Sequence, residues 1–447
     1  MYTENSKKHL KGGITTEKLY LGVAQEIITP KVGANLYGYF PDIVSTGVLD
    51  DLVLTAYYFK QGDTQALMLS TTLCELATDL SDDLRTLLAE KCNVPFDNIQ
   101  LSATHTHTGP NTKGSPGWGD RNTDYCENIL APAMLRATEN AMKATQPVRM
   151  GYAVGESKVG VNRRQLTMQN EVILGQAPWG PMDLKMTVIS FVNEENVPVA
   201  NMVHYGCHNT SLGYVTTEIS RDWSGMMTDT LAEKSGAPTA FFCGPEGDTG
   251  PRLSNGKTTG NKELMYELGK QAAEDVLRIY GTIDGFTVPQ LSVFCGKLAL
   301  PLDKRMSKAE AEAVYEEYKE YTRNVKGLIK AHALKVLDAI EAGLPEQKEL
   351  VFDQPIVRLG DCIFVGSTYE LYCEIGLRVQ QCFKDHHVMM VINTNGSTAY
   401  LPTEDSLVRG GYEVQMFMYK DVQPYRAHTD FTYITQTVEN VQKILEA

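Results

Sequence analysis

The chain predicts an α/β fold, with α+β as the alternative: one large unit of mixed sheets flanked by helices. Three observations carry that expectation. Short β-rich runs alternate with helical stretches along most of the chain. Two histidine clusters each follow an apolar run, where α/β architectures place their chemistry. Across 447 residues no repeat, Ser/Gly linker or low-complexity block marks a boundary, so residues 1–447 read as a single domain with a helical excursion at about 306–345.

In order, Leu19 to about Ile28 reads as a strand, ended by a turn at Thr29-Pro30-Lys31. The glycine- and aromatic-rich stretch from Gly33 to Phe40, with Gly38 in it, suits a loop lining a pocket. Leu52–Phe59 and Gln65–Ser70 flank Lys60-Gln-Gly-Asp-Thr64 in a hairpin pattern. Ser81 to Cys92 has helical spacing, with Ser81 placed to cap it and Asp82-Asp83 in its first turn. Ile99–Ala103 is a short strand running into Thr104-His-Thr-His-Thr-Gly-Pro110, and Asp124 to Ala144 is a helix. Strands Lys185–Val192 and Val199–His204 lead to the second histidine cluster, and Pro238–Phe242 leads to the loop Gly244-Pro-Glu-Gly-Asp-Thr-Gly-Pro251. Met306 to Leu344, rich in Ala, Glu, Lys and Leu, is one long helix or a helical pair. Strands near Phe352–Arg358 and Cys362–Val365, a helix from Glu370 to Phe383 and a strand His387–Asn393 continue the alternation.

Composition excludes several classes of function. A hydrophobic content of 43% with 21% charged residues permits a large core. The net charge of -14 repels nucleic acid and anionic membranes, and the pairs Lys7-Lys8 and Arg163-Arg164 are too small to offset it. Neither nucleic acid nor membrane is therefore expected as a partner. The first residues are polar and no apolar run of about 18 residues follows, so a cytoplasmic location is expected. Nine scattered cysteines without a CxxC pair read as reduced core thiols rather than a thiolate metal site. The oligomeric state is not legible.

His105 and His107 bracket one residue, and His204 and His208 close the second cluster. Imidazoles suit zinc, and two such clusters after strands bring a metal role level with that of ordinary hydrogen-bonded histidines. A carboxylate is wanted as well. Glu370 and Glu374 stand one turn apart at the start of a predicted helix, where the alternative is that Glu370 merely complements the helix dipole. The Gly244–Pro251 loop can bring backbone N–H groups or Asp248 to a ligand, but it lacks the nucleotide-binding glycine patterns. The nucleophile elbow GxSxG is also absent. Asp222 is open to two readings, general base or structural acceptor.

These clusters resemble the catalytic domain of the neutral/alkaline, non-lysosomal ceramidase family. The resemblance runs through Leu101 to Pro110, Val161-Asn-Arg163, His208-Asn-Thr-Ser211, Gly247-Asp-Thr-Gly-Pro251, Glu370 to Gly376 and Ala399-Tyr-Leu-Pro-Thr403. It implies a ceramidase-like fold and one zinc ion per chain, held by His105, His208, Glu370 and Tyr400. It further implies that His107, Arg163 and Tyr412 hold the scissile amide and its oxyanion. Where the family carries an active-site serine this chain has Gly250, with Thr249 beside it, and both positions are expected against the substrate. Neither the family's leader nor its C-terminal immunoglobulin-like domain is read in this chain, which turns the expectation from ceramide to a shorter, soluble small molecule.

The activity so implied is zinc-dependent hydrolysis of a linear amide by metal-activated water. An esterase or lactonase of the same fold and a non-catalytic metal- or ligand-binding homologue are the alternatives.

Overall fold

The computed structural model describes residues 17–420 and 422–446, so the Lys7-Lys8 pair and the polar residues around it lie outside the described residues. An eight-stranded sheet runs in the order Thr239–Cys243, Pro198–Tyr205, Lys185–Val192, Gln146–Glu156, Leu19–Ile27, Val53–Gln61, Thr64–Thr71, Ile99–Ala103. Its inner neighbours are antiparallel, and the outermost pair at each end is parallel. A parallel pair needs a crossover, usually a helix. Thr78–Cys92 supplies one and Asp222–Ser235 the other.

A second sheet of four strands, Leu291–Pro301, Glu349–Leu359, Cys362–Gly366 and His387–Val391, ends in a third parallel pair, spanned by the helix Cys373–Gln381. The two sheets share an apolar layer in which Tyr57, Phe59, Phe191 and Phe242 face Val357, Phe364 and Met389. Each such side chain, once buried, contributes about 1.5–3 kcal/mol. Helices Asp222–Ser235, Lys262–Tyr280 and Thr429–Glu446 bury their apolar faces in a second layer.

The segment after His387–Val391 ties the two rims of the large sheet together. Ile392 N–H donates to Cys243 O on one rim at 3.0 Å, and Ala103 N–H donates to Asn393 O from the other at 3.2 Å. Asn395 continues along the second rim, donating from its backbone to Leu101 O (2.8 Å) and from its side chain to Ile99 O (2.9 Å), while its Oδ1 accepts from Leu101 N–H.

Several expectations need correction. The first helix starts at Thr78, so Ser81 lies buried inside it, and Ala77 precedes it without a side-chain cap. Glu370 is not on a helix at all: Glu370–Leu371 is a short strand parallel to Tyr400–Leu401, and the helix begins at Cys373. Glu370 and Glu374 therefore do not share a helix face, and the dipole reading of Glu370 is excluded. The 306–344 stretch forms two helices, Lys308–Tyr318 and Asn324–Glu341. The strands Gln146–Glu156 and Leu291–Pro301, half-buried and without strict alternation, were not legible.

Candidate active site

Each of the three parallel strand pairs delivers a side chain of a kind that can ligate a metal beyond a strand's C-terminal end. Ile99–Ala103 is buried at every residue and leads to His105, whose φ of +67° places it in the left-handed region, uncommon for a side chain of this size. His105 N–H donates to Leu73 O at 2.8 Å, which fixes the turn. Pro198–Tyr205 leads to His208, and a parallel bridge between Thr106 and Asn209 locks the two histidine segments side by side. Beyond Cys362–Gly366, the bridge to Tyr400 aims Glu370 at both rings.

The resulting distances are short. Glu370 Oε2 lies 3.4 Å from His105 Nε2 and 3.4 Å from His208 Nε2. Glu246, which follows strand Thr239–Cys243, joins them with its Oε1 3.8 Å from His105 Nε2. One ligand atom from each of the four residues lies within 4.8 Å of all the others, and all four residues are buried.

Protonation of the histidines is set by their outer partners. His105 Nδ1 lies 2.9 Å from Cys74 O, and His208 Nδ1 lies 3.0 Å from Glu246 O and 3.1 Å from Thr249 O. Donation to these carbonyls leaves the Nε2 lone pair of His208 facing the cluster, and His105 presents its own there once Nε2 is deprotonated. His208 Nε2, Glu246 Oε1 and Glu370 Oε2 have no hydrogen-bond partner. Buried polar atoms are rarely orphaned, and here three orphans converge. Tetrahedral ligands at 2.0–2.1 Å from zinc sit about 3.3 Å apart, close to the observed spacing. The donor set therefore fits a divalent ion.

Burial opposes charge on His105, yet Glu246 and Glu370 beside it hold its pKa well above the ordinary value. Burial, the Arg163 guanidinium and His105 keep His208 well below it, and burial with the neighbouring histidines and Arg163 does the same for His107. Glu246 is pushed up to about 7 by burial, with His105 opposing and Glu370 adding to the rise.

His107 stands beside the cluster, its Nε2 3.1 Å from His105 Nε2. Gly38 makes room for it: a Cβ there would lie 2.4 Å from His107 Cγ, and the φ of +122° is open only to glycine. Arg163 is buried, with Nε donating to Glu413 Oε1, its guanidinium carbon 5.4 Å from the centre of the Tyr400 ring and Nη2 without a partner. Tyr412 opens the helix Tyr412–Met418, its ring centre 5.8 Å from that of Tyr400, which itself stacks on His208 at 6.4 Å.

Two cavities meet here. A small one reaches the site past Cys74, Glu75 and Lys113. The larger, of about 1030 Å³, has His107, Arg163, Tyr400 and Tyr412 at its base and Tyr39, Phe40, Trp118, Ile173, Leu174 and Tyr214 in its walls. Residues 320–326, between and at the start of the paired helices, form part of that wall, so the helical excursion shapes the site.

Four sequence-flagged residues go elsewhere. Asp222 accepts from Ser211 N–H (3.1 Å), the Ser211 hydroxyl, Leu212 N–H (2.9 Å) and Trp223 N–H (2.8 Å), so it is a structural acceptor. Thr249 points its hydroxyl to Met182 Sδ and meets His208 through its backbone oxygen. Gly250 packs against Thr258, and neither Thr249 nor Gly250 lines the two cavities. Asp248, singled out within its loop, accepts from Asn162 Nδ2 and Cys373 N–H. Glu246, two residues earlier, is the loop's carboxylate in the cluster.

No family model matches the chain. Among curated proteins it is similar to a neutral ceramidase of Pseudomonas aeruginosa, 27% identical over 208 residues that cover 40% of this chain and 30% of that protein. It is likewise similar to neutral ceramidase A of Dictyostelium discoideum, 27% identical over 217 residues, 45% of this chain and 30% of the relative. The matches thus span about a third of the curated relatives' length. Its fold superimposes on the crystal structure of the Pseudomonas aeruginosa neutral ceramidase with a TM-score of 0.75 at 18% identity, over 97% of this chain and 75% of that one. A structure described as ceramidase complexed with C2 gives 0.72 at 18% identity, over 96% and 76%.

Proposed function

Since the chain is neutral ceramidase-like in sequence and fold, we propose that it is a zinc-dependent hydrolase of linear N-acyl amides. The observation that carries this is the convergence of His105 Nε2, His208 Nε2 and Glu370 Oε2 directly behind His107 and Tyr400, which line the large cavity. His105, His208 and Glu370 would hold the ion, with Tyr400 beside them. Zinc supplies Lewis acidity toward the scissile carbonyl and lowers the pKa of a bound water to roughly 7.

The chain's own residues do the rest. Arg163, with its free Nη2, and the Tyr412 hydroxyl are donors held in place before charge develops on the carbonyl oxygen. The Glu413 carboxylate holds the guanidinium in register. His107 is neutral by burial and faces the same cavity, placed to orient the amide without adding charge. The cavity exceeds the needs of a short polar molecule, and Tyr39, Phe40, Trp118, Ile173, Leu174 and Tyr214 give it an apolar stretch beside the polar Gln165, Lys257, Glu320 and Arg323, so an amide bearing both an apolar chain and a polar end suits it better than the short soluble substrate expected from sequence.

The test is an assay of chelator-stripped and zinc-restored protein on N-acyl amides and matched esters of rising chain length. The proposal expects amide turnover that is lost on stripping, returns with zinc and improves with chain length. Turnover of esters alone would move the assignment to an esterase, and activity indifferent to chelation would remove the metal from the chemistry.

A further inference from the structure

Resting on the metal-dependent reading of this site, we infer that Glu246 is a direct protein ligand of the ion, making the set two imidazoles and two carboxylates. Its carboxylate is split in use. Oε2 accepts the Cys243 thiol at 3.1 Å, while Oε1 has no hydrogen-bond partner and lies 3.8 Å from His105 Nε2.

The charges make the same point. Glu246 is wholly buried and Glu370 nearly so, and among the described residues no Lys or Arg forms an ion pair with either. A thiol is a weak donor, and the ion-pair partners of both carboxylates among the described residues are His105 and His208, which as metal ligands are neutral and leave the two charges to the ion. One divalent ion between Oε1 of Glu246 and Oε2 of Glu370 neutralises both.

The backbone holds the group there. Glu246 O accepts from His208 Nδ1 at 3.0 Å and from Thr249 N–H at 2.7 Å, and Gly247 N–H donates to Leu371 O at 2.8 Å. The loop that orients one ligand, His208, and is stitched to the strand bearing another, Glu370, thus carries a third. With two oxygen donors the site accepts harder divalent ions such as Mn²⁺ and Co²⁺ more readily than an imidazole-rich set does.

The contrary arrangement is a protonated Glu246 held only by Cys243 and never in contact with the ion. A crystal structure or X-ray absorption spectrum of the wild-type protein loaded with Zn²⁺ alone separates the two. A Glu246 oxygen at the 2.0–2.2 Å of a zinc–carboxylate bond is expected, and a separation beyond 3 Å overturns the inference. In chelator competition, Glu246→Gln is expected to weaken Zn²⁺ binding by more than about 100-fold, above the cost of losing an outer partner, and to shift the visible bands of the Co²⁺ form.

Unchanged affinity and bands in Glu246→Gln, with binding lost in His105→Ala, would sink this inference and spare the metal site. A wild type that binds no Zn²⁺ would remove the metal reading itself. The wild-type measurement decides even if Glu246→Gln does not fold.

Discussion

Arg163 and Glu413 lie 250 residues apart in sequence and meet through one buried hydrogen bond, Nε to Oε1 at 2.8 Å, while Arg164 Nη1 takes the other carboxylate oxygen at 2.7 Å. Among the described residues Glu413 makes no hydrogen bond or ion pair with His105, His208, Glu246 or Glu370, so its contribution is to position Arg163. Glu413→Gln should lower kcat by about 100-fold, the usual loss for one oxyanion donor, with little change in KM. Zinc content should stay at the wild-type value. A loss of bound zinc in this variant would show that the pair supports the metal site instead.

Gly38→Ala places a methyl group 2.4 Å from His107 Cγ on a backbone with φ of +122°. Displacing His107 by about 1 Å should cost about 100-fold in kcat/KM, with zinc binding retained because His107 is outside the ligand set. Steady-state kinetics beside metal analysis checks both halves.

Gly250→Ser, which restores the family's serine, should not raise activity. The new Cβ would sit 2.7 Å from Thr258 Cβ and Cγ2, an overpacking that should cost about 1–3 kcal/mol. Thermal melting should show the loss in Gly250→Ser and its relief in Gly250→Ser/Thr258→Gly.

His387 has its pKa lowered to about 4 by burial, then by His204 and Lys185, and its Nε2 lies 2.6 Å from Thr187 Oγ1. Between about pH 6.5 and 4 the unfolded chain takes up a proton here that the folded chain refuses. Stability from this group is therefore full above pH 6.5 and drains away as pH falls to 4, by about 3 kcal/mol in total. His387→Gln should reduce the slope of unfolding free energy against pH in that window by roughly one proton.

The histidine clusters were legible because each follows a strand made obvious by its apolar run, and the chain direction then dictates where the next residues point. Glu370 was found by resemblance but misplaced on a helix: the residues after it do form one, and only the distant Tyr400 backbone pulls Glu370 itself into a strand. Glu246 was missed for a related reason. Spacing inside Gly244–Pro251 does not say which carboxylate turns inward; hydrogen bonds from Asn162 and Cys373 claim Asp248, and both donors come from remote segments. Asp222 was decided by its four donors, Ser211 N and Oγ, Leu212 N and Trp223 N, of which only Trp223 N is a sequence neighbour.

The tie made by Ile392 to Asn395 also bears on how the chain escapes self-association. Open sheet rims are templates for pairing with another copy, and here both outer strands, Ile99–Ala103 and Thr239–Cys243, are buried at every residue, the late segment taking Cys243 O, Ala103 N–H and Leu101 O while Ser70 Oγ takes Phe241 O. A ribosome-bound chain has made both rims long before it makes the residues that seal them. Until then the backbone groups that this segment later occupies are open on both rims, which makes that interval the one in which the nascent chain is most open to pairing with a neighbour.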